Sequence, residues 1–193
     1  LLQEFKNLTP FDLGYYRVRE VFRLDYNLSI NYEEVLYIEQ ELKSIGIHGI
    51  RFNAIKLQNG RIGCSMSHLK CLQIAKSNNW PYVMICEDDL LVLNNETFVN
   101  HINKFFTTHW SNNWNVLLLA GNNVPPYVKI DDTCIKVSHC QTTTGYIVKQ
   151  SYYDTLINVI SLLYKSPLLI IPPFSIILKT SSLRFSVTSF FPV

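Results

Sequence analysis

The sequence predicts an α/β sandwich around a mostly parallel central sheet. Two observations carry that prediction. Short apolar or β-branched runs alternate along the chain with segments whose apolar residues recur at helical spacing, the order that lays helices on the faces of a sheet. Several runs, among them Pro81 to Cys86 and Val116 to Ala120, are apolar throughout, which suits strands covered on both faces. With 193 residues the chain is long enough for one domain with a sizeable core.

Val18 to Leu24, with β-branched and aromatic positions, is the first expected strand. Tyr32 to Ile45 follows as a helix carrying Val35, Ile38, Leu42 and Ile45 on one face, and Gly46 is its stop. A short strand near Ile50 to Ile55 leads to a polar loop from Gln58 to Gly63. Ser65 or Ser67 then caps a helix to about Ser77, with Met66, Leu69 and Leu72 inward. The buried strand Pro81 to Cys86 ends abruptly at Glu87-Asp88-Asp89. Asn94 or Asn95 caps a helix bearing Phe98, Ile102 and Phe105. Val116 to Ala120 is a strand, Gly121 to Pro126 a loop, and Cys134 to Ser138 and Thr144 to Val148 two more strands. Tyr152 to Tyr164 closes the alternation as a helix with Leu156, Ile160 and Leu163 at helical spacing.

The chain divides into a globular part, residues 1–165, and an atypical apolar tail, residues 166–193, which holds no Asp or Glu and is interrupted by Pro167, Pro172, Pro173 and Pro192. A composition shift this sharp is what a truncation or frameshift produces, and Leu1 in place of an initiator suggests a start further upstream. Leu168 to Leu178 is apolar but shorter than the ~20 residues a bilayer helix needs, so no transmembrane anchor is expected. A formal charge of +2 excludes a broad nucleic-acid-binding face, which needs clustered Lys and Arg. The five cysteines are odd in number and lack a CxxC pair. They are expected as buried free thiols in a reducing compartment, without a zinc site. With no signal peptide visible, that compartment is the cytoplasm.

Two segments can carry chemistry. Three consecutive acids at the end of a buried strand repel one another unless a cation lies among them, and the carboxyl ends of strands are where ligands gather in open α/β sheets. Hard oxygen ligands suit Mg²⁺ or Mn²⁺ with phosphate oxygens completing the shell, an ion that neutralises a diphosphate leaving group. A solvated acidic turn explains the same residues. In Gly60-Arg61-Ile62-Gly63-Cys64-Ser65-Met66-Ser67-His68, Gly63 permits close backbone approach at a helix start, where phosphate is favoured. A plain Gly loop with a Ser cap and a structural His68 explains this segment equally.

Taken together, Gly60 to Leu91 resembles the hallmark of glycosyltransferase family 25, the lipooligosaccharide and procollagen galactosyltransferase group: Gly-x-x-Gly-Cys-x-x-Ser-His, a helix, a short apolar strand, then Glu-Asp-Asp. Gly60, Gly63, Cys64, Ser67, His68, Glu87, Asp88 and Asp89 match it residue for residue. Leu42, Gly46, Ile47, Phe52, Ala54 and Ile55 upstream, and Val116 to Gly121 and Thr144-Gly145-Tyr146 downstream, resemble its flanking segments. The resemblance implies a GT-A-like Rossmann-type sandwich, a UDP-sugar donor (UDP-galactose or UDP-glucose), Mn²⁺ or Mg²⁺, and a glycan or collagen-like acceptor. It implies Asp89 and Glu87 as metal contacts, and Gly63, Ser67, His68, Glu87 and Asp88 as donor-binding residues.

Three departures stand out. Arg23-Leu24-Asp25-Tyr26-Asn27 lacks the basic residues that follow the family's first strand, Arg61 replaces a frequent Glu, and the acid-free tail supplies no acceptor-side carboxylate. The catalytic base is thus unassigned. A non-catalytic relative that keeps a binding role is the second reading. A metal-dependent phosphohydrolase ranks last, because a second acidic cluster and a clear nucleophile are missing.

Overall fold

The computed structural model describes residues 13–16, 40, 42–47, 49–87, 90–109, 114–140, 144–165 and 184–187. Eight strands form one sheet: β1 (Leu13–Tyr16), β2 (Gly49–Phe52), β3 (Tyr82–Cys86), β4 (Val116–Ala120), β5 (Asn123–Lys129), β6 (Cys134–Cys140), β7 (Gly145–Lys149) and β8 (Arg184–Val187), in the order β2-β1-β3-β7-β4-β8-β6-β5. Among the described residues three long helices, α1 (Gly60–Ser77), α2 (Asn95–His109) and α3 (Tyr153–Lys165), accompany the sheet, with a 3₁₀ turn at Gln150–Tyr152 before α3.

The sheet is mixed, which corrects the expectation of a mostly parallel one. β1 runs parallel to β2 and β3, and β4 parallel to β8, but β7 is antiparallel to both β3 and β4, and β6 to both β5 and β8. The reason lies in the connections. A parallel pair needs a crossover of a dozen or so residues, usually a helix, whereas antiparallel strands join through tight turns. Among the described residues no helix separates β4 from β7, so the chain has no crossover with which to keep these strands parallel.

Side-chain alternation along β3 builds the layers. Tyr82, Met84 and Cys86 enter one core with Ile102, Phe105 and Phe106 of α2 and with Trp114. Val83 and Ile85 enter the opposite core with Leu69, Leu72 and Ala75 of α1 and Leu156 and Ile160 of α3. All five β3 residues are buried, as a strand covered on both faces requires. Phe105, Phe106 and Trp114 meet edge-on, with centroids 5.4 to 5.8 Å apart, the geometry that the ring quadrupole favours.

Local chemistry sets several boundaries. Asn94 caps α2, its side-chain oxygen accepting the Thr97 N–H at 2.8 Å. Gly46, at φ 76°, ends the preceding helical turn as expected. The Ile47 N–H donates to Leu42 O and the Gly46 N–H to Lys43 O, and Leu42 and Ile47 share one apolar core, so the turn closes as a Schellman motif. Two expectations give way here. The segment read as a loop from Gly121 to Pro126 contains the start of β5, an edge strand. The ladder to β6 shifts register between Val124 and Tyr127, so Pro125 and Pro126 sit at an edge irregularity where prolines are tolerated. The expected strand near Ile50 to Ile55 starts at Gly49 and stops at Phe52.

Val18 to Leu24, most of the Tyr32 to Ile45 helix, and Leu168 to Leu178 lie outside the described residues. From the tail, β8 pairs with β4 and β6 within the sheet. Among the described residues, no helix is long and apolar enough to cross a membrane.

Candidate functional site

The site forms where α1, the end of β3 and the start of β7 meet. Asn59 begins α1: its side-chain oxygen accepts the Arg61 and Ile62 N–H groups at 3.1 and 3.4 Å. The helix therefore starts before Ser65 and Ser67, which corrects their assignment as caps. Both hydroxyls instead donate to carbonyls one turn back, Ser65 to Arg61 and Ser67 to Gly63, each at 2.8 Å. Ser67 Oγ also accepts the Ile55 N–H at 2.8 Å, tying the chain after β2 to the helix.

Gly63 is buried inside the first turns of α1, where a Cβ would lie 2.5 Å from Ile55 O and 3.3 Å from Leu57 N. The close approach that the glycine permits is therefore to this protein's own backbone. Together Gly63 and Ser67 fix segment 53–57 against the helix. Neither Gly63 nor the fully buried Ser67 hydroxyl faces outward.

One turn on, His68 is wholly buried. Its Nδ1 lies 2.8 Å from Tyr146 Oη, and the two rings stack with centroids 5.7 Å apart. Its Nε2 lies 3.4 Å from Glu87 Oε1. Burial, with the neighbouring Cys71 and Glu87 adding to it, pushes the Tyr146 hydroxyl well above the usual phenol range, so it stays protonated. Which of the His68–Tyr146 pair donates depends on the imidazole tautomer, and the tyrosine hydroxyl can serve in either role. Glu87, its side chain 21% exposed, is the open end of this chain.

The antiparallel β7 is what brings Tyr146 here. Ile85 pairs with Tyr146 and Cys86 with Gly145, and the Glu87 N–H donates to Thr144 O at 2.8 Å just beyond the ladder. The three segments singled out in the sequence, Gly60 to His68, the acids after Cys86, and Thr144 to Tyr146, thus converge at one end of β3. Asp88 and Asp89 lie outside the described residues. Asp154 is on the surface of α3, ion-paired to Lys76 of α1, away from this convergence.

Cys64 is the residue that the sequence reading left without a role. It lies one helical turn before His68, and donor atoms of Cys64, His68 and Glu87 all fall within 4.8 Å of one another. The Cys-x-x-x-His spacing on a helix was the signal for the first pair; nothing local in sequence points from that pair to Glu87. All five cysteines are free, Cys64 partly exposed and the other four buried.

The sequence profile of glycosyltransferase family 25 (LPS biosynthesis protein) matches residues 30–168, most of the chain and all of this convergence. The chain belongs to glycosyltransferase family 25. Among curated proteins none matches it in sequence. Among solved structures it is similar to the crystal structure of mannose-1-phosphate geranyltransferase from Thermus thermophilus. The identity is 9%, with 94% of this chain and 74% of that one covered, at a TM-score of 0.49.

Proposed function

We propose that this family 25 protein transfers a hexose, galactose or glucose, from a UDP-sugar to a hydroxyl of a glycan or collagen-like acceptor. The observation that carries it is the position of Glu87, first of three consecutive acids, at the carboxyl end of the buried strand β3. There the strand order reverses, with β2 on one side of the parallel β1 and β3 on the other, the kind of switch point at which α/β sheets take ligands. Helices packed on both faces of the sheet, and β3 ending at the acids, also support a GT-A-like arrangement.

Glu87 fits a hard divalent ion: it is a partly exposed carboxylate followed directly by two more acids, Asp88 and Asp89. Glu87 and Asp89 would hold Mn²⁺ or Mg²⁺, and Asp88 would lie against the donor. Bound there, the ion supplies charge neutralisation to the departing nucleotide diphosphate. This chain's own contribution is positional. Gly63 and Ser67 hold the chain after β2 in place, and Tyr146 and His68 orient Glu87 from behind. The buried free thiols support a reducing compartment such as the cytoplasm.

A second reading, a relative that binds the donor without turnover, is favoured by Asp154: this carboxylate of α3 is paired with Lys76 on the surface, away from Glu87. Calorimetric titration of UDP with and without Mn²⁺, beside Asp89→Ala, tests the donor site. Mn²⁺-dependent binding lost in the variant supports it, and no binding by the folded wild-type chain sinks it. Assay of UDP-galactose and UDP-glucose turnover then separates transferase from binder.

A further inference from the structure

We infer that Cys64, His68 and Glu87 form a binding site for a borderline transition-metal ion of the Zn²⁺ class, separate in chemistry from the Mn²⁺ or Mg²⁺ proposed for the donor. From the sequence no zinc site is expected, because the cysteines show no paired spacing; the fold supplies one by setting the end of β3 against one face of α1.

Three features support it. The donor set is one thiol, one imidazole and one carboxylate, each a ligand type that zinc takes, and its sulfur and nitrogen are donors that hard Mg²⁺ and Ca²⁺ do not select. The spacing also fits. Tetrahedral zinc with N and O bonds of about 2.0 Å separates those two atoms by roughly 3.3 Å, and His68 Nε2 lies 3.4 Å from Glu87 Oε1. That gap is longer than the about 2.7–2.9 Å of a charge-assisted hydrogen bond. The full set lies within 4.8 Å and closes on an ion with a shift of about 1 Å in the partly exposed Cys64.

The third feature lies behind the ligands. Zinc-bound histidines donate their other ring N–H to a fixed partner, which sets the tautomer and the ring orientation. Tyr146 Oη is that partner for Nδ1, 2.8 Å away, held in a buried stack. A hydroxyl both donates and accepts, so it serves either tautomer. On binding, the Cys64 thiol loses its proton to solvent and forms the sulfur–metal bond. The His68 proton sits on Nδ1 and is donated to Tyr146, while Nε2 takes the metal. Glu87 contributes Oε1, and a water completes the open side. Since Glu87 also belongs to the proposed donor site, the two ions compete for one side chain. The zinc site itself does not depend on the donor reading.

The test uses the full chain, stripped with chelator and free of nucleotide. One equivalent of Zn²⁺ should remain after desalting, measured by elemental analysis, and Co²⁺ in its place should give a thiolate-to-metal charge-transfer band. Cys64→Ser should abolish that band, Glu87→Gln should weaken binding at least about 10-fold, and Tyr146→Phe should weaken it by about 10–100-fold. Circular dichroism checks that each variant is folded, and the partly exposed Cys64 and Glu87 are the substitutions least able to disturb the core. Folded wild-type chain that retains no stoichiometric metal overturns the inference, as does a thiolate band that survives Cys64→Ser.

Discussion

Gly63→Ala puts the packing of α1 to a quantitative test. The added Cβ would stand 2.5 Å from Ile55 O and 3.3 Å from Leu57 N, both backbone atoms, so no side chain can swing away. Either the helix or segment 53–57 must move, and overpacking of this kind costs about 1–3 kcal/mol. Movement also strains the Ile55 N–H to Ser67 hydrogen bond, which adds about 0.5–1.5 kcal/mol. Against this, alanine gains about 1 kcal/mol over glycine within a helix. The net loss is about 1–3 kcal/mol, a fall in Tm of roughly 3–10 °C for a chain of this size. Gly60→Ala is the control. It lies in the same first turn, and a Cβ there would meet nothing within 4 Å, so the change is neutral or stabilising by up to about 1 kcal/mol. Urea denaturation of both variants measures the difference. If Gly63→Ala matches or exceeds wild type, helix propensity alone governs this turn and the close approach is unimportant.

Further outcomes follow from the cores and the buried acids. Phe105→Ala removes a fully buried ring that touches Phe106 and Trp114, and denaturation should show a loss of about 3–5 kcal/mol. Tyr146→Phe strips the buried His68 Nδ1 of its 2.8 Å partner; about 1–3 kcal/mol should be lost, and Mn²⁺-dependent UDP affinity should fall with it. At alkaline pH, burial, with Asp131 adding to it, pushes the Cys134 thiol up from 9.0 to about 12, and burial also raises Cys71, Cys86, Tyr146 and Tyr153. The unfolded chain thus loses these protons first, so stability is full below about pH 9 and declines as pH rises through the window up to the folded values. A urea midpoint that stays constant from about pH 8 to about pH 11 would contradict this.

Much of the fold was written locally. β3 and β4 announce themselves as short, wholly apolar runs, Asn94 and Gly46 mark helix ends by side-chain and backbone chemistry, and Leu156 and Ile160 show the buried face of α3 by period alone. Other features follow rules that composition obscures. Gly60-x-x-Gly63 reads as a loop because glycine is a poor helix former, yet Asn59 supplies the cap and Ile55 the reason for Gly63. Pro125-Pro126 reads as a turn because proline lacks a donor, a loss that β5 accommodates at the sheet edge with a register shift. The antiparallel setting of β7 has no local signal at all, since pairing of Ile85 with Tyr146 is a long-range choice. The site divides in the same way. Glu87 and His68 were legible by type and by motif, whereas Tyr146 as the partner of His68, and Cys64 as the neighbour of Glu87, emerge only when β7 and α1 are set beside β3.

The outer border of the sheet carries one more consequence. β5 ends the strand order and exposes Tyr127 and Val128, with Ile130 just beyond it, an apolar fringe of the sort that recruits another chain by backbone pairing. Pro125 and Pro126 sit in the same strand, offer no N–H to an incoming neighbour, and coincide with a register break between Val124 and Tyr127. The fringe is thereby cut short, and the molecule carries its own guard against aggregation along the side farthest from the acids of β3.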